Sequence, residues 1–249
     1  MSGVHTVYRT TQFKSDGTRY VAIAGSLELP NPYLNRDNDV GTYKNGAFPE
    51  FIYGFYAGGK GFDAGILCDN AGSTDRGYKL FIADNGNGTL ASSWEQHGAM
   101  QVATGLDVKL KVYFTTTGKV RLECYSGSLL KDSLEVAFKD TTTYNTFKSG
   151  CFVNLEMVIA INKDNNNNVN LTPGAYFKNA KFHDTTLTTT SGTYVALTTS
   201  NSDEYQWYDT GFPTGSTSTY AYKRTVGTMV NGFVSDLGSA TTDKNTYPV

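Results

Sequence analysis

Residues 107–127 read DVKLKVYFTTTGKVRLECYSG, and this stretch decides the fold class. Val108, Leu110, Val112 and Phe114 alternate with Lys109, Lys111 and Tyr113, and beyond a turn at Thr117-Gly118, Val120, Leu122 and Cys124 alternate with Arg121, Glu123 and Tyr125. Period-2 alternation on both sides of a Gly-containing turn predicts a β-hairpin with one apolar and one polar face. The apolar row has to be covered by a second sheet, so the hairpin is a piece of a sandwich. Its polar row mixes cations, tyrosines and Glu123. Such a row suits an acidic polysaccharide if the face is open, or cross-strand pairing if it is the solvated back, and Glu123 among the cations favours pairing.

Strand signals continue in both directions. Upstream lie Arg19–Leu29, then a Pro/Asn-rich loop, then Phe51–Tyr56 and Phe62–Cys68 around Gly58-Gly59, a predicted hairpin turn. Gly77–Ala83 ends at Asn85-Gly86-Asn87-Gly88 and is followed by a predicted loop carrying Trp94 and His97. Downstream come Leu134–Phe138, the apolar run Cys151–Asn162, a polar tract from Lys163 to Asn170, and Ala175–His183. No segment offers twelve residues of helical periodicity, and no repeat is visible. Beyond Asp184 the chain turns Thr/Ser-rich, with strand-like segments at Tyr220–Val226 and Met229–Val234. We expect one domain over residues 1–249. Its core spans about residues 18–185, and residues 186–249 form a β-extension completing or flanking the sandwich, because that tail has too few large aliphatics to build its own core.

Composition agrees. The 249 residues include 17 Tyr, 14 Phe and 26 Gly, a strand-and-turn vocabulary. Charged residues are 18 % and the formal net charge is −2, which gives no basic patch for nucleic acid. No apolar run is long enough for a membrane-spanning helix. Met1-Ser2-Gly3 has no signal-peptide character and reads as a cloning-derived start. Low Lys and Glu with high Thr, Asn and Tyr point to a secreted or cell-surface protein. Cys68, Cys124 and Cys151 have no metal-site spacing, sit in apolar strand patterns, and are expected to be buried thiols.

Three pieces together resemble the laminin-G/concanavalin A-like jelly roll: VKLKVYFTTTGKVRLECYSG its adjacent strands and turn, FYAGGKGFDAGILCDNAG with GYKLFIA its earlier central strands, and AYFKNAKFHDTTL its last strand. The resemblance covers about residues 20–185 and implies an all-β, two-sheet antiparallel sandwich. Members of that superfamily include lectins, glycan-binding modules, glycoside hydrolases and polysaccharide lyases, so architecture does not choose among them. The Glu-x-Asp-x-x-Glu strand of the family's glucanases is absent, and Asp63, Glu123 and Glu156 occur singly, as solvated charges or cross-strand partners do. AYFKNAKFHD also resembles the alginate-lyase strand Tyr-Phe-Lys-Ala-Gly-x-Tyr-x-Gln at Tyr176, Phe177 and Lys178. Phe182, however, stands where that family has its catalytic second Tyr, and Gln96 and His97 are adjacent where it has Gln-x-His.

No nucleophile elbow, Cys/His pair or phosphate-cradling loop is present, so the sequence names no catalytic residue. Sugar recognition uses aromatic faces with amides and acids, and Trp94, Trp207, Tyr56, Asp69 and Asn70 offer that mixture. Asp37, Asp39 and Asp75 lie in Asx-rich loops that could supply oxygen ligands to calcium; otherwise no cofactor is implied. The expectation from sequence is thus a non-catalytic, extracellular, lectin-like protein with a glycan or polysaccharide partner. The alternatives are a polysaccharide lyase or glycoside hydrolase with an unrecognised site, and a structural or adhesive surface protein.

Overall fold

A computed structural model of the chain describes residues 2–12, 17–30, 39–40, 43–44, 47–69, 77–100, 102, 105–161, 176–208 and 233–238. In chain order the strands are β1 (Ser2–Thr10), β2 (Tyr20–Glu28), β3 (Asp39–Val40), β4 (Tyr43–Lys44), β5 (Ala47–Ala57), β6 (Lys60–Asp69), β7 (Gly77–Asp84), β8 (Trp94–Gln96), β9 (Asp107–Phe114), β10 (Lys119–Ser126) and β11 (Leu129–Ala137). A helix, α1 (Thr141–Lys148), precedes β12 (Phe152–Ile161), β13 (Tyr176–Thr189), β14 (Tyr194–Ala196), β15 (Asp203–Tyr208) and β16 (Phe233–Gly238). One sheet runs β15-β1-β12-β5-β6-β7-β8 and the other β11-β10-β9-β2-β13-β14, with β16 also on β13 and β3-β4 a small separate ribbon. The protein is an all-β, two-sheet antiparallel sandwich, as the hairpin required.

The core lies between the sheets. Val108, Leu110, Val112, Val120, Leu122 and Cys124 are fully buried, facing Phe51, Tyr53, Phe55, Phe62, Leu80 and Leu155 of the other sheet. At one end the core becomes aromatic. Phe62 stacks on Phe55 with ring centroids 5.2 Å apart and meets the edges of Phe114 and Phe138. Helix α1 closes this end by inserting Phe147 against Phe62 and Phe138.

The polar face of the hairpin is closed by pairing. Arg121 donates to Glu123 at 2.7 Å and to Glu135 at 2.6 Å, and Tyr113 and Tyr125 both donate to Glu123. The Gly58-Gly59 turn between β5 and β6 has both residues at positive φ, as a two-residue hairpin loop of this hand demands. Cys68, Cys124 and Cys151 are buried free thiols. Among the described residues no helix is long and apolar enough to cross a membrane.

Four local readings change. Residues 2–10, given no strand from sequence, form β1 between β12 and β15. Trp94 and its neighbours are not a loop but the edge strand β8, paired to β7. Strand β13 continues five residues beyond Asp184, because the Thr-rich segment still alternates and Leu187 is buried in the core. Helix α1 is too short for periodicity to reveal; its signal is the Asp140 cap, whose carboxylate accepts from the Thr143 N–H at 2.7 Å. The strand expected at Tyr220–Val226 lies outside the described residues.

Candidate functional site

Antiparallel register lines up side chains across the first sheet in rows, and its face away from the core carries an unusual set. One row runs Asp203, Thr10, Asn154, Gly54, Asp63, Ala83, Trp94. The next has Glu156, Ile52, Gly65, Phe81 and Gln96, and the one beyond it Val158, Glu50, Leu67 and Lys79. On the other side Phe152, Tyr56 and Gly61 line up. Asp63 and Glu156 therefore stand on the two strands flanking β5, in neighbouring rows, with Gly54 and Ile52 between them. Glu50 is one row further along β5.

Gly54 makes the space at the centre. A Cβ there would lie 2.9 Å from the Tyr56 ring and 3.0 Å from Asp63 Oδ1, so any larger residue displaces both. Tyr56 in turn folds back toward Asp63, its hydroxyl donating to Asp63 Oδ1 at 3.3 Å. The Asn85 amide donates to the Tyr56 hydroxyl at 3.2 Å and to Asp63 at 3.4 Å. Glu156 receives the Asn154 amide at 3.0 Å. Two oxygens in this group are buried without a hydrogen-bond partner among the described residues: Oε1 of Glu50 and Oδ1 of Asn154.

Three carboxyls so close together in a desolvated patch cannot all ionise near their ordinary values. Burial raises Glu50 to about 8, helped by repulsion from Asp63 and Glu156. Burial also raises Glu156 to about 8, with Asp63 adding to it and the Asn154 bond opposing it. Asp63 rises less, to about 6, because the Asn85 and Tyr56 donors stabilise its anion against burial. Tyr56 is held far above the usual phenol range by burial and then by the same acids. Asp63 and Glu156 therefore titrate as a pair, with Asp63 losing its proton first. A pair of carboxyls sharing one proton can take a proton from water and give one to a leaving group, the logic of acid–base hydrolysis.

Among the residues singled out from sequence, Tyr56 belongs to this cluster. Trp94 sits at one edge of the same sheet, in the row of Asp63, stacked on Phe81 at 5.0 Å and partly buried; packing is its visible role. Trp207 is on β15 at the opposite edge, paired with Thr6. Asp69 ends β6 and Asp39 begins β3, whereas Asn70, Asp37 and Asp75 lie outside the described residues. Sequence reading treated Asp63 and Glu156 as isolated charges and passed over Glu50, Asn85 and Asn154. The available signal was an acid on the outward row of three otherwise apolar strands, FPEFIYGF, KGFDAGIL and FVNLEMVI. Glu123, by contrast, is the cross-strand partner expected of it.

No protein-family model matches this chain, and no curated protein matches it. Solved structures do. Scytalido-glutamic peptidase with a peptide-based transition-state analog is similar at a TM-score of 0.51 and 10 % identity, over 96 % of this chain and 98 % of that one. SCP-B, a member of the Eqolisin family of peptidases, solved in a complex with the tripeptide Ala-Ile-His, is similar at 0.52 and 11 %, with the same coverage. At such identity the likeness is one of fold, a β-sandwich matched along nearly its whole length. It overturns the carbohydrate-binding, lectin-like expectation, and the glycoside-hydrolase alternative finds no support either: these neighbours are peptidases.

Proposed function

We propose that the protein is a peptidase whose catalytic groups are the carboxyls of Asp63 and Glu156. The observation that carries this reading is the placing of two carboxyls, Asp63 and Glu156, in neighbouring rows on the strands either side of β5, supplied with hydrogen-bond donors from Tyr56, Asn85 and Asn154. The peptidic ligands named for the two solved neighbours support peptides as the substrate class. The concanavalin A-like resemblance is compatible, since site chemistry and not architecture sets the reaction. An extracellular location, read from composition, belongs to the same proposal.

In the singly protonated pair, Asp63 is the carboxylate and Glu156 the acid. Asp63 accepts a proton from a water molecule as that oxygen attacks the scissile carbonyl carbon, and Glu156 donates its proton to the carbonyl oxygen. Collapse of the tetrahedral intermediate breaks the C–N bond. The proton on Asp63 passes to the departing amine, and the gem-diol proton returns to Glu156, giving one acid and one amine for each water consumed. The Tyr56 hydroxyl and Asn85 amide hold Asp63 in place and keep it the first to ionise.

The test is digestion of an unfolded protein substrate across the pH range, with new amino termini read by mass spectrometry. Cleavage is expected where one proton is shared, so kcat/KM should follow a bell whose limbs lie near the pair's values of about 6 and about 8. Asp63→Asn and Glu156→Gln should each lower the rate by about 100-fold or more with circular dichroism unchanged. Absence of cleavage at every pH, or cleavage indifferent to both substitutions, would sink the reading.

A further inference from the structure

On the second sheet, remote in the fold from the carboxyl pair, β2, β9 and β13 bring together Glu28, Asp107 and His183. Register pairs Glu28 with both Asp107 and Lys181, and His183 with Ser26. One donor atom from each of Glu28, Asp107 and His183 falls within 4.8 Å of the others. A tetrahedral zinc ion with ligand bonds of about 2.0–2.2 Å needs donors about 3.3–3.6 Å apart, which small side-chain rotations supply here.

The imidazole is already oriented for the task. His183 Nδ1 lies 2.8 Å from Asp184 Oδ2, and Nε2 lies 2.9 Å from Asp107 Oδ1. Consecutive residues of a regular strand point to opposite faces, so His183 and Asp184 should not meet. They meet because the β13–β2 ladder slips register between His183 and Thr186, and Asp184 takes φ +50, the one positive φ among the described non-glycine residues. A bulge of this kind re-aims a side chain. Each ring nitrogen thus faces a carboxylate, and with Nδ1–H donated to Asp184 the Nε2 atom is aimed at Asp107, where a metal ion can take the place of a proton. Glu28 adds an oxygen within 4.8 Å of the Asp107 and His183 donor atoms, while Asp184 holds the ring from its Nδ1 side. Among the described residues Lys181 bonds Glu28 at 3.0 Å, and Lys109 stands on β9 opposite Ser26, in the row of His183.

We propose that Glu28, Asp107 and His183 form a binding site for a divalent transition metal, zinc by preference, with Asp184 as the carboxylate that orients the histidine. One nitrogen and two carboxylate oxygens suit a borderline ion of this class better than calcium, which takes six or more oxygens. The imidazole–carboxylate pairing at Nδ1 is the outer-shell arrangement that metal-bound histidines use. The site is independent of the peptidase reading, since it shares no residue with the carboxyl pair.

Isothermal titration of the chelator-treated full chain with zinc chloride at about pH 7.5, where the metal has to displace any proton held at Nε2, tests it. The expected result is one ion per chain with a Kd below about 10 µM. Asp184→Asn should weaken binding by about 10–100-fold, and His183→Ala by at least as much. Cobalt(II) should give a visible ligand-field band that His183→Ala abolishes. Glu28→Gln, a half-exposed change that leaves the fold in place, must also weaken binding. Failure of the wild-type chain to bind, leaving a proton as the only cation between Nε2 and Asp107, would overturn the proposal. So would binding equally strong in folded His183→Ala and Glu28→Gln.

Discussion

Glu50 is 5 % exposed, and one of its oxygens has no partner among the described residues. It holds its proton far above the ordinary range. Its replacement by Gln should therefore change how stability depends on pH. Unfolded, the side chain ionises near the ordinary value of 4.5; folded, it does so at about 8. Between those limits the folded chain binds a proton that the unfolded chain has released, so stability falls as pH rises. The loss runs at about 1.4 kcal/mol per pH unit, a ceiling of about 5 kcal/mol by the top of the window, which relaxation and water entry reduce to about 2–4 kcal/mol. Glu50→Gln removes this dependence. Urea unfolding followed by tryptophan fluorescence at a series of pH values should show the variant gaining on wild type steadily from pH 4.5 to about 8. Any misfit of the new amide adds a constant offset, so the diagnostic is the slope. A gap independent of pH, or one widening toward acid, would refute the reasoning and place the Glu50 carboxyl in water.

Three further outcomes follow from the packing. Gly54→Ala puts a methyl group against the Tyr56 ring and Asp63 Oδ1, so peptide cleavage should fall steeply while the melting transition shifts by only about 1–2 kcal/mol. Asp84 accepts from the backbone N–H groups of Gly86, Asn87, Gly88, Thr89 and Leu90. Asp84→Ala should cost about 2–3 kcal/mol in denaturant unfolding. These bonds hold Asp84 below the ordinary 3.8, so its contribution is complete above that value and is lost only as pH falls below it toward the folded value. Phe62→Ala empties the centre of the aromatic end of the core and should destabilise by about 3–5 kcal/mol in the same assay.

The hairpin at 107–127 was legible because its cause is local. A strand exposes one side, then the other, so a period of two in VKLKVYF and KVRLECY fixes both the conformation and the buried face. The Gly58-Gly59 turn and the buried thiols were readable for the same reason. Elements without a local period were not: α1 is two turns held by the Asp140 cap and Phe147, and β1 takes its place by pairing with β12 and β15, far away in sequence.

The carboxyl pair lies entirely on the other side of that divide. Asp63 and Glu156 each look, in their own strands, like a charge on a solvated face. They become a pair only because β5 lies between β6 and β12 with Gly54 opposite both Asp63 and Asn154. Composition and alternation dictated strands, turns and a two-layer core, since those follow from how each residue meets its immediate neighbours and water. Strand order and register were decided by the summed packing of the whole sandwich. An acid's protonation depends on what surrounds it in space, so the chemistry of this sheet face emerged only when the strands were in place.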